Sequence, residues 1–567
     1  MNRLIRPIRP IRLVRLAGLF LASSAVAQSP GTMAGRSAVY APHGVVAAPQ
    51  PLASQAGLRV LQQGGNAVDA AVTAAIMLGL VEPMMSGIGG DLFVIMWSAK
   101  EQRLIGLNAS GRAGALMTLE EMRRRGRERM PTTGAESITV PGALSGWAAL
   151  LERYGTISLA AALEPTIQLA EDGFPVTPVI AKDWDVLGKV ARADSGGRAT
   201  FFDANGKAPA AGEWFRNPGL AATFREVARE GPGVFYGGSL GQRIADRVRE
   251  LGGFLTVEDF RDQKVEWQTP ISVDYKGYRL WELPPNGQGV AALEMLKILE
   301  PFDLRAMGHN SAPYLHHLIE AKKLAYADLE RYVGDPDHMT VAANQLLSDQ
   351  FIASRRALLD PTRASPGQDP GVVPTANTTY VTAADAEGNM VSLITSLASG
   401  FGSGVVVPGT GFALQNRGAG FTLEPGRPNS AAPGRRPRHT IIPAFVTRIG
   451  ADGKDEPWLS YGIVGGAQQP QAHVQVLLNL LLFGMDPQQA LDAARFSHTS
   501  RRSVGFESPI PASVIAALEA MGHERQDPST MLGGLAVAFG GGQAIMRAPR
   551  GWIAGSEPRR DGLAAGY

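Results

Sequence analysis

The chain has 567 residues, of which 45% are hydrophobic and 19% charged, which is the composition of a folded globular protein. Its 54 Lys and Arg nearly balance 52 Asp and Glu, and no basic stripe alternates with aromatic residues, so nucleic acid is not an expected partner. The lack of cysteine excludes disulfides, Cys-ligated zinc, iron–sulfur clusters and thiol nucleophiles, so any nucleophile must be Ser, Thr, Lys or a carboxylate.

Residues 1–27 have the pattern of an export signal. Five arginines between Arg3 and Arg15 precede the apolar run 16–22, and Ala25-Val26-Ala27 offers a small-x-small cleavage site. Export would place the mature protein in the periplasm or outside the cell. The alternative is that Met33 is the true start, which would leave the protein in the cytoplasm. No other segment has the 18 or more uninterrupted apolar residues of a membrane span.

The next segment predicts two helices, a glycine turn and a strand. Pro51 opens an amphipathic helix that ends at Gly64-Gly65, and the Ala-rich stretch 69–80 has the composition of a buried helix. Ser86-Gly-Ile-Gly-Gly90 leads into the apolar run 92–97, which predicts a central strand. The order helix, turn, strand argues against a phosphate-binding loop, because such a loop follows a strand and opens a helix.

The middle of the chain is rich in predicted helices, of which the clearest are 146–154, 159–172, 240–251 and 313–332. The last of these carries His316 and Glu320, two possible metal ligands on one helix turn. No third ligand lies nearby in the sequence, so we interpret the pair as a satisfied or solvent-facing helix surface. We predict no metal and no other cofactor.

An irregular connector precedes the last third of the chain. Residues 360–375 contain four prolines and two glycines and have no hydrophobic periodicity. Beyond them, β-branched and apolar runs predict strands at 378–384, 390–397, 405–407, 412–415, 441–448, 458–464 and 543–547, with helices at 472–483 and 487–496. This pattern is typical of antiparallel sheets layered with helices.

Thr378 opens the first strand after the connector. A hydroxyl at such a junction suits an N-terminal nucleophile hydrolase, in which the precursor threonine attacks its own preceding carbonyl and the resulting ester hydrolyses. The freed α-amine, whose ordinary pKa is about 7.7 to 8.0, then serves as the base for the same hydroxyl. Cross-strand packing is the alternative explanation of Thr378 and Thr379 at a strand start.

Ten ordered stretches of the mature chain resemble the gamma-glutamyltranspeptidase family. They are 51–57, 64–71, 86–90, 140–142, 320–328, 377–380, 388–389, 401–404, 465–466 and 563–567. The resemblance implies an α+β fold with four layers, αββα, that is cut between Asn377 and Thr378. A large chain, 28–377, and a small catalytic chain, 378–567, would then form one folded heterodimer, with a dimer of heterodimers as a further option.

The same resemblance implies the roles of five residues. Thr378 is the processing and catalytic nucleophile, with Thr379 as the alternative, and Ser396 is the second hydroxyl that orients it. Gly465 and Gly466 match the pair whose N–H groups form the oxyanion hole, a task that needs close backbone approach. Taken alone, Ser396 is also explained as a strand-face serine, and the two glycines as an ordinary turn.

Four more residues are candidates for substrate binding. Arg112 lies in the segment where the family keeps a carboxylate-binding arginine, although Ser110, two positions away, is the alternative match. Arg417 stands in the segment where other members carry an acidic residue, and it faces either the pocket or solvent. His439 and Thr440 replace a pair of consecutive serines.

The departures from the family bear on the substrate. Ala398 and Gly420 stand where glutathione-cleaving members carry an asparagine and an acidic residue that bind the α-ammonium group. Two arginines instead favour a carboxylate, a pattern similar to the divergent branch that includes oxamate amidohydrolase and some acylases. We therefore expect hydrolysis of a small carboxylate-bearing amide through an acyl-enzyme. The alternatives are a true gamma-glutamyl hydrolase or transpeptidase acting on glutathione, and a binding protein without catalysis.

Overall fold

The computed structural model describes residues 35–367, 377–531 and 538–567, and Ser37–Tyr567 forms one compact unit. The candidate export signal, residues 1–27, and residues 368–376 of the connector lie outside the described residues. Among the described helices, none combines the length and the apolar composition needed to cross a membrane.

Two antiparallel sheets of seven strands each lie at the centre, with strands numbered in chain order. The first sheet has the spatial order β19 (Leu563–Gly566), β2 (Val45–Ala48), β10 (Asn377–Ala384), β11 (Met390–Ala398), β3 (Asp91–Ser98), β4 (Arg103–Ala109) and β7 (Glu266–Gln268). The second has the order β1 (Val39–Ala41), β18 (Trp552–Ser556), β17 (Gly542–Arg547), β13 (Asp455–Ile463), β12 (Ala444–Ile449), β9 (Tyr278–Glu282) and β8 (Ile271–Tyr275).

Strand β3 is buried on both of its faces. Phe93 and Ile95 point into the apolar layer between the two sheets, where they join Phe445 of β12 and Ile545 of β17. Val94 points the other way, into the layer between the first sheet and its helices. Because successive side chains of a strand alternate and both faces are buried, residues 92–97 of β3 are all apolar.

Helices cover the outer face of each sheet. The helices of the first half of the chain, all of which except α3 pack beside the first sheet, are α1 (Pro51–Gln62), α2 (Ala67–Val81), α3 (Leu119–Arg124), α4 (Ala143–Tyr154), α5 (Leu159–Asp172), α6 (Pro178–Leu187), α7 (Lys189–Ala193), α8 (Ser195–Phe201), α9 (Pro218–Glu230), α10 (Ser239–Glu250) and α11 (Val257–Arg261). The others are α12 (Gly289–Leu299), α13 (Leu304–Met307), α14 (Ala312–Tyr332), α15 (Ala343–Leu346), α16 (Asp349–Arg356), α17 (Gln468–Phe483), α18 (Pro487–Asp492) and α19 (Ala512–Ala520). The predicted four-layer αββα arrangement is confirmed.

Two small sheets complete the described strands. One contains β14 (Phe496–Ser500), β15 (Ser503–Phe506) and β16 (Glu524–Gln526), and the other pairs β5 (Phe174–Pro175) with β6 (Trp214–Phe215). The helix predicted at 487–496 is therefore too long, because α18 ends at Asp492 and Phe496 already belongs to a strand.

The strands predicted at 405–407 and 412–415 are wrong. The structure forms a single bridge there, between Val406 and Ala413, and the rest is loop. Gly409 and Gly411 between them have φ of 80° and 78°, left-handed values that glycine adopts at little cost and that end a ladder. The valine run suggested a strand, but the flanking glycines determined the outcome.

We predict that residues 378–567 do not fold without the rest of the chain. Strand β10 pairs with β2 on one side, β11 pairs with β3, and β12 pairs with β9, so removing residues 28–377 would expose both strand edges and an apolar face. Expression of residues 378–567 alone should give insoluble or unfolded protein, and co-expression with residues 28–377 should restore solubility. A soluble fragment with cooperative thermal unfolding would contradict this prediction.

Candidate active site

Three strands bring a hydroxyl pair and a carboxylate to one end of the first sheet. Strand β11 ends two residues after Ser396, β3 begins at Asp91, and the register places these two residues opposite each other. Strand β10 begins at Asn377, which pairs with Ala398, and its register shifts between Asn377 and Thr379. Residues far apart in the chain therefore meet because antiparallel strands end where their neighbours begin.

The hydroxyl of Ser396 is the meeting point of several donors. Thr378 Oγ1 donates to it at 3.2 Å, the backbone N–H of Ala398 at 2.8 Å, and Arg417 Nη2 at 2.6 Å. Thr378 and Ser396 are both buried. Thr379, the alternative nucleophile, donates instead to Ser86 Oγ at 3.3 Å. The two threonines thus contact different hydroxyls, as expected for neighbours on a strand.

Arg417 is buried, so of the two orientations considered for it the solvent-facing one is wrong. Its Nη1 donates to Thr440 Oγ1 at 2.7 Å, and its Nε lies 4.0 Å from Asp91 Oδ2. Burial lowers the pKa of Arg417 to about 10, and Asp91 opposes that shift, so the guanidinium stays charged at neutral pH. A cation is therefore held against Ser396, within two hydrogen bonds of Thr378 Oγ1.

Asp91 is a site residue that sequence reasoning missed. Its Oδ1 accepts the N–H groups of Gly111 and Gly142, each at 3.1 Å, and its Oδ2 accepts from His439 Nε2 at 3.1 Å. These bonds satisfy a carboxylate that is completely buried. The available signal was a single charged residue between a glycine turn and an otherwise apolar strand.

His439 is a neutral link between Asp91 and the backbone. Its Nδ1 accepts from the N–H of Ile441 at 3.3 Å, so the hydrogen-bond network assigns the proton to Nε2, which donates to Asp91. Burial, with a further contribution from Arg417, lowers the pKa of His439 to about 4. His439 thus holds the Asp91 carboxylate without adding a charge to the site.

The glycine pair follows β13 of the second sheet. Gly465 has φ of 120° and Gly466 of 59°, values that side chains other than glycine rarely adopt. Their carbonyls accept from the N–H groups of Gln468 and Gln469 at 3.0 and 3.1 Å. Within the described residues, neither glycine N–H donates a hydrogen bond. Two backbone donors are therefore available next to the N-terminus of α17.

Gln288, also missed from the sequence, connects the glycine pair with the rest of the cluster. Its Nε2 donates to the carbonyl of Gly466 at 2.8 Å and to the carbonyl of Thr440 at 2.6 Å. Thr440 in turn accepts from Arg417. A continuous series of hydrogen bonds thus runs from Gly466 through Gln288, Thr440 and Arg417 to Ser396. The Pro- and Gly-rich run 284–289 was the only sequence signal for this position.

Arg112 lies outside this series. Its guanidinium donates to Glu266 at 3.0 Å and to the carbonyl of Gly434 at 2.9 Å, and it lies 3.5 Å from Asp335. None of these three partners bonds to Thr378 or Ser396 among the described contacts. Ser110, the alternative match, donates its hydroxyl to Asn108 Oδ1 at 2.8 Å.

His316 and Glu320 are buried and hydrogen-bonded, so the interpretation as a satisfied pair is confirmed and the solvent-facing alternative is wrong; a third possible ligand, His523, lies beside them. His316 Nδ1 lies 2.8 Å from His523 Nε2, and the candidate ligand atoms of the three residues lie within 4.8 Å of one another. Chain folding brings His523 from beyond α19, which spacing could not reveal. The Lys323 ammonium already binds Glu320 at 2.7 Å, so a metal ion would have to displace it.

Comparison with known proteins identifies the family. A family model described as Gamma-glutamyltranspeptidase matches residues 53–567. The chain is 35% identical over 529 residues to the Glutathione hydrolase-like YwrD proenzyme of Bacillus subtilis, covering 92% of this chain and 98% of that protein. It is 34% identical over 540 residues to the Oxamate amidohydrolase proenzyme of Klebsiella pneumoniae subsp. pneumoniae, covering 93% and 98%.

Among solved structures, the cephalosporin acylase from Bacillus halodurans matches with a TM-score of 0.87 and 43% identity, over 95% of this chain and 98% of that one. Sequence and fold thus agree over nearly the full length of each relative. The chain belongs to the gamma-glutamyltranspeptidase family and is an autoprocessing N-terminal nucleophile hydrolase.

Proposed function

We propose that Thr378, once freed from Asn377, hydrolyses a small carboxylate-bearing amide through an acyl-enzyme. The observation that carries the proposal is the Arg417 guanidinium, which is bonded to the same Ser396 hydroxyl as Thr378. A buried arginine next to the nucleophile is suited to bind a carboxylate through its planar fork of donors.

Each chemical step has a residue suited to it. The α-amine of free Thr378 takes the proton of Oγ1, and Oγ1 attacks the amide carbon. The N–H groups of Gly465 and Gly466 donate to the oxyanion that forms. The C–N bond breaks as the amine leaves with the proton from the α-ammonium group. Water then attacks the threonine ester, releasing the acid and restoring the free Oγ1–H.

The position of Arg417 favours a substrate whose carboxylate lies close to the scissile amide. Arg417 Nη2 is 2.6 Å from Ser396 Oγ, which is 3.2 Å from Thr378 Oγ1, so the guanidinium and the nucleophile are separated by about 6 Å or less. The Nε atom is buried without a hydrogen-bond partner among the described residues, and Asp91 Oδ2 lies 4.0 Å from it. Oxamate, in which the carboxylate adjoins the amide carbonyl, fits this spacing.

The surroundings of Gly420 disfavour the alternative substrate, glutathione. Gly420 carries no acidic side chain, and a Cβ at this position would lie 3.1 Å from the carbonyl oxygen of Arg438, which would have to move by a few tenths of an ångström. Ala398 offers no polar atom beyond its backbone, and the charge next to Ser396 is that of a cation. An α-ammonium group would therefore meet repulsion in place of a partner.

The names of the relatives include both a glutathione hydrolase-like protein and an oxamate amidohydrolase, so glutathione hydrolysis is the second candidate function. A binding role without catalysis is disfavoured, because Thr378, Ser396 and the glycine pair are all present.

We predict autocleavage between Asn377 and Thr378, releasing a C-terminal chain of 190 residues. Thr378→Ala removes the hydroxyl that attacks the preceding carbonyl and should leave one uncut chain. N-terminal sequencing and intact mass would locate the new terminus. Thr379→Ser is the matched control and should still be cut at the same bond. A terminus at residue 379 would transfer the assignment to Thr379.

We predict that kcat/KM for oxamate exceeds that for glutathione. An ammonium group buried without an acceptor costs about 1 to 3 kcal/mol, which corresponds to roughly tenfold to a hundredfold in rate. Ammonia release from oxamate and glutamate release from glutathione, measured on the same processed enzyme, would give the ratio. Turnover of glutathione equal to or faster than that of oxamate would restore the second candidate.

We predict that Arg417→Met raises KM for a carboxylate substrate more than Arg112→Ala does. A charge-assisted hydrogen bond contributes about 1.5 to 3 kcal/mol, so KM should rise roughly tenfold to a hundredfold for Arg417→Met. Arg417→Lys keeps the charge but loses the fork and should fall between that variant and wild type. Each rate should be divided by the fraction of processed chains. A larger effect of Arg112→Ala would assign the carboxylate to Arg112.

A further inference from the structure

A cavity with a volume of about 420 Å³ lies beside the C-terminal half of α14. Helix α14 supplies most of its wall, α16 and β14 contribute one residue each, and Arg427 contributes from a loop. We call it the Lys322 cavity; its lining residues are Lys322, Lys323, Tyr326, Ala327, Asp328, Glu330, Arg331, Tyr332, Arg355, Arg427 and His498.

Positive charge is in excess in the Lys322 cavity. Five cationic side chains line it against two carboxylates, and both carboxylates already have partners. Asp328 binds Arg355 through two bonds of 2.6 and 2.7 Å, and Glu330 binds Arg438 at 2.7 Å. Among the described residues, Lys322 and Arg331 are the lining cations without a carboxylate partner. The lining therefore has no carboxylate left to neutralise them.

Lys322 is the unusual member, because only 2% of it is exposed. Its Nζ donates to His498 Nδ1 at 2.8 Å and lies 3.8 Å from the centre of the Tyr326 ring. His498 Nε2 is bonded to the carbonyl of Arg501, so Nδ1 is an acceptor and the ring is neutral. Burial lowers the pKa of Lys322 to about 7. A buried ammonium group bonded to a neutral ring is favoured by an added anion.

One residue, Tyr326, contacts both Lys322 in the cavity and the turn next to the glycine pair. The hydroxyl of Tyr326 donates to the carbonyl of Ala467, the residue directly after Gly466. One face of the Tyr326 ring thus contacts Lys322, while its hydroxyl contacts the turn that carries the glycine pair.

We propose that the Lys322 cavity is a second anion site, which binds a carboxylate that the substrate carries away from its scissile amide. This inference rests on the proposed amidohydrolase function for its substrate, but anion binding can be measured without hydrolysis. Together with Arg417, the cavity would select amides with two anionic groups over those with one.

Glutarate is a suitable probe, with neutral glutaramide as the control ligand. Lys322→Met replaces the ammonium with an apolar side chain of similar length; it removes a buried charge but leaves His498 Nδ1 without its donor, so each binding measurement is made on protein whose cooperative thermal unfolding has been recorded. Lys189→Met, on the exposed side of α7, is the matched control. Calorimetry should show glutarate binding about tenfold weaker for Lys322→Met and unchanged for Lys189→Met, with glutaramide affected by neither.

Inhibition kinetics distinguish a substrate subsite from a separate anion site. We expect glutarate to inhibit amide hydrolysis competitively, with a Ki about tenfold higher for Lys322→Met. Noncompetitive inhibition, or equal glutarate binding by wild type and Lys322→Met, would overturn the proposal. An enzyme that hydrolyses no amide yet binds glutarate through Lys322 would overturn the proposed function and leave only the anion site.

Discussion

The buried guanidinium of Arg417 is the constraint on which the candidate site depends. Removing a cation from water costs several kcal/mol, which only polar partners and a nearby carboxylate offset. Ser396 and Thr440 accept from it, and Asp91 lies 4.0 Å away. Asp91 is itself held by two backbone N–H groups and His439. The need to compensate the charge of Arg417 thus orients Ser396 and, through Ser396, Thr378.

The two sheets contribute different parts of the site, so its geometry depends on how they pack. The first sheet supplies Thr378 and Ser396, and the second supplies the turn with Gly465 and Gly466. Gln288 bridges the two by binding both Gly466 and Thr440. The apolar layer between the sheets sets their separation, and the Gln288 amide, together with the Tyr326 hydroxyl bonded to Ala467, holds the turn in place.

One strained backbone position lies directly beside the nucleophile. Ala398 has φ of 77°, a left-handed conformation that costs a residue with a side chain about 1 to 2 kcal/mol. In that conformation its N–H points back to Ser396 Oγ. The backbone of Ala398 thus donates to Ser396, which the methyl side chain of Ala398 could not do. The tight packing around β11 maintains this conformation of Ala398.

The sequence by itself predicted several of the helices and the strands next to the nucleophile, because hydrophobic period and glycine or proline punctuation are local properties. The four layers and the family followed from the resemblance of ten ordered stretches. The sequence also placed Thr378 and Ser396 at neighbouring strand ends. Only the tertiary structure decided that Arg417 is buried against Ser396 while Arg112 binds Glu266, that Asp91 and Gln288 join the cluster, and that His523 reaches His316. Those outcomes depend on strand register and on loops from distant segments, and spacing in the chain does not encode which side chains such elements bring together.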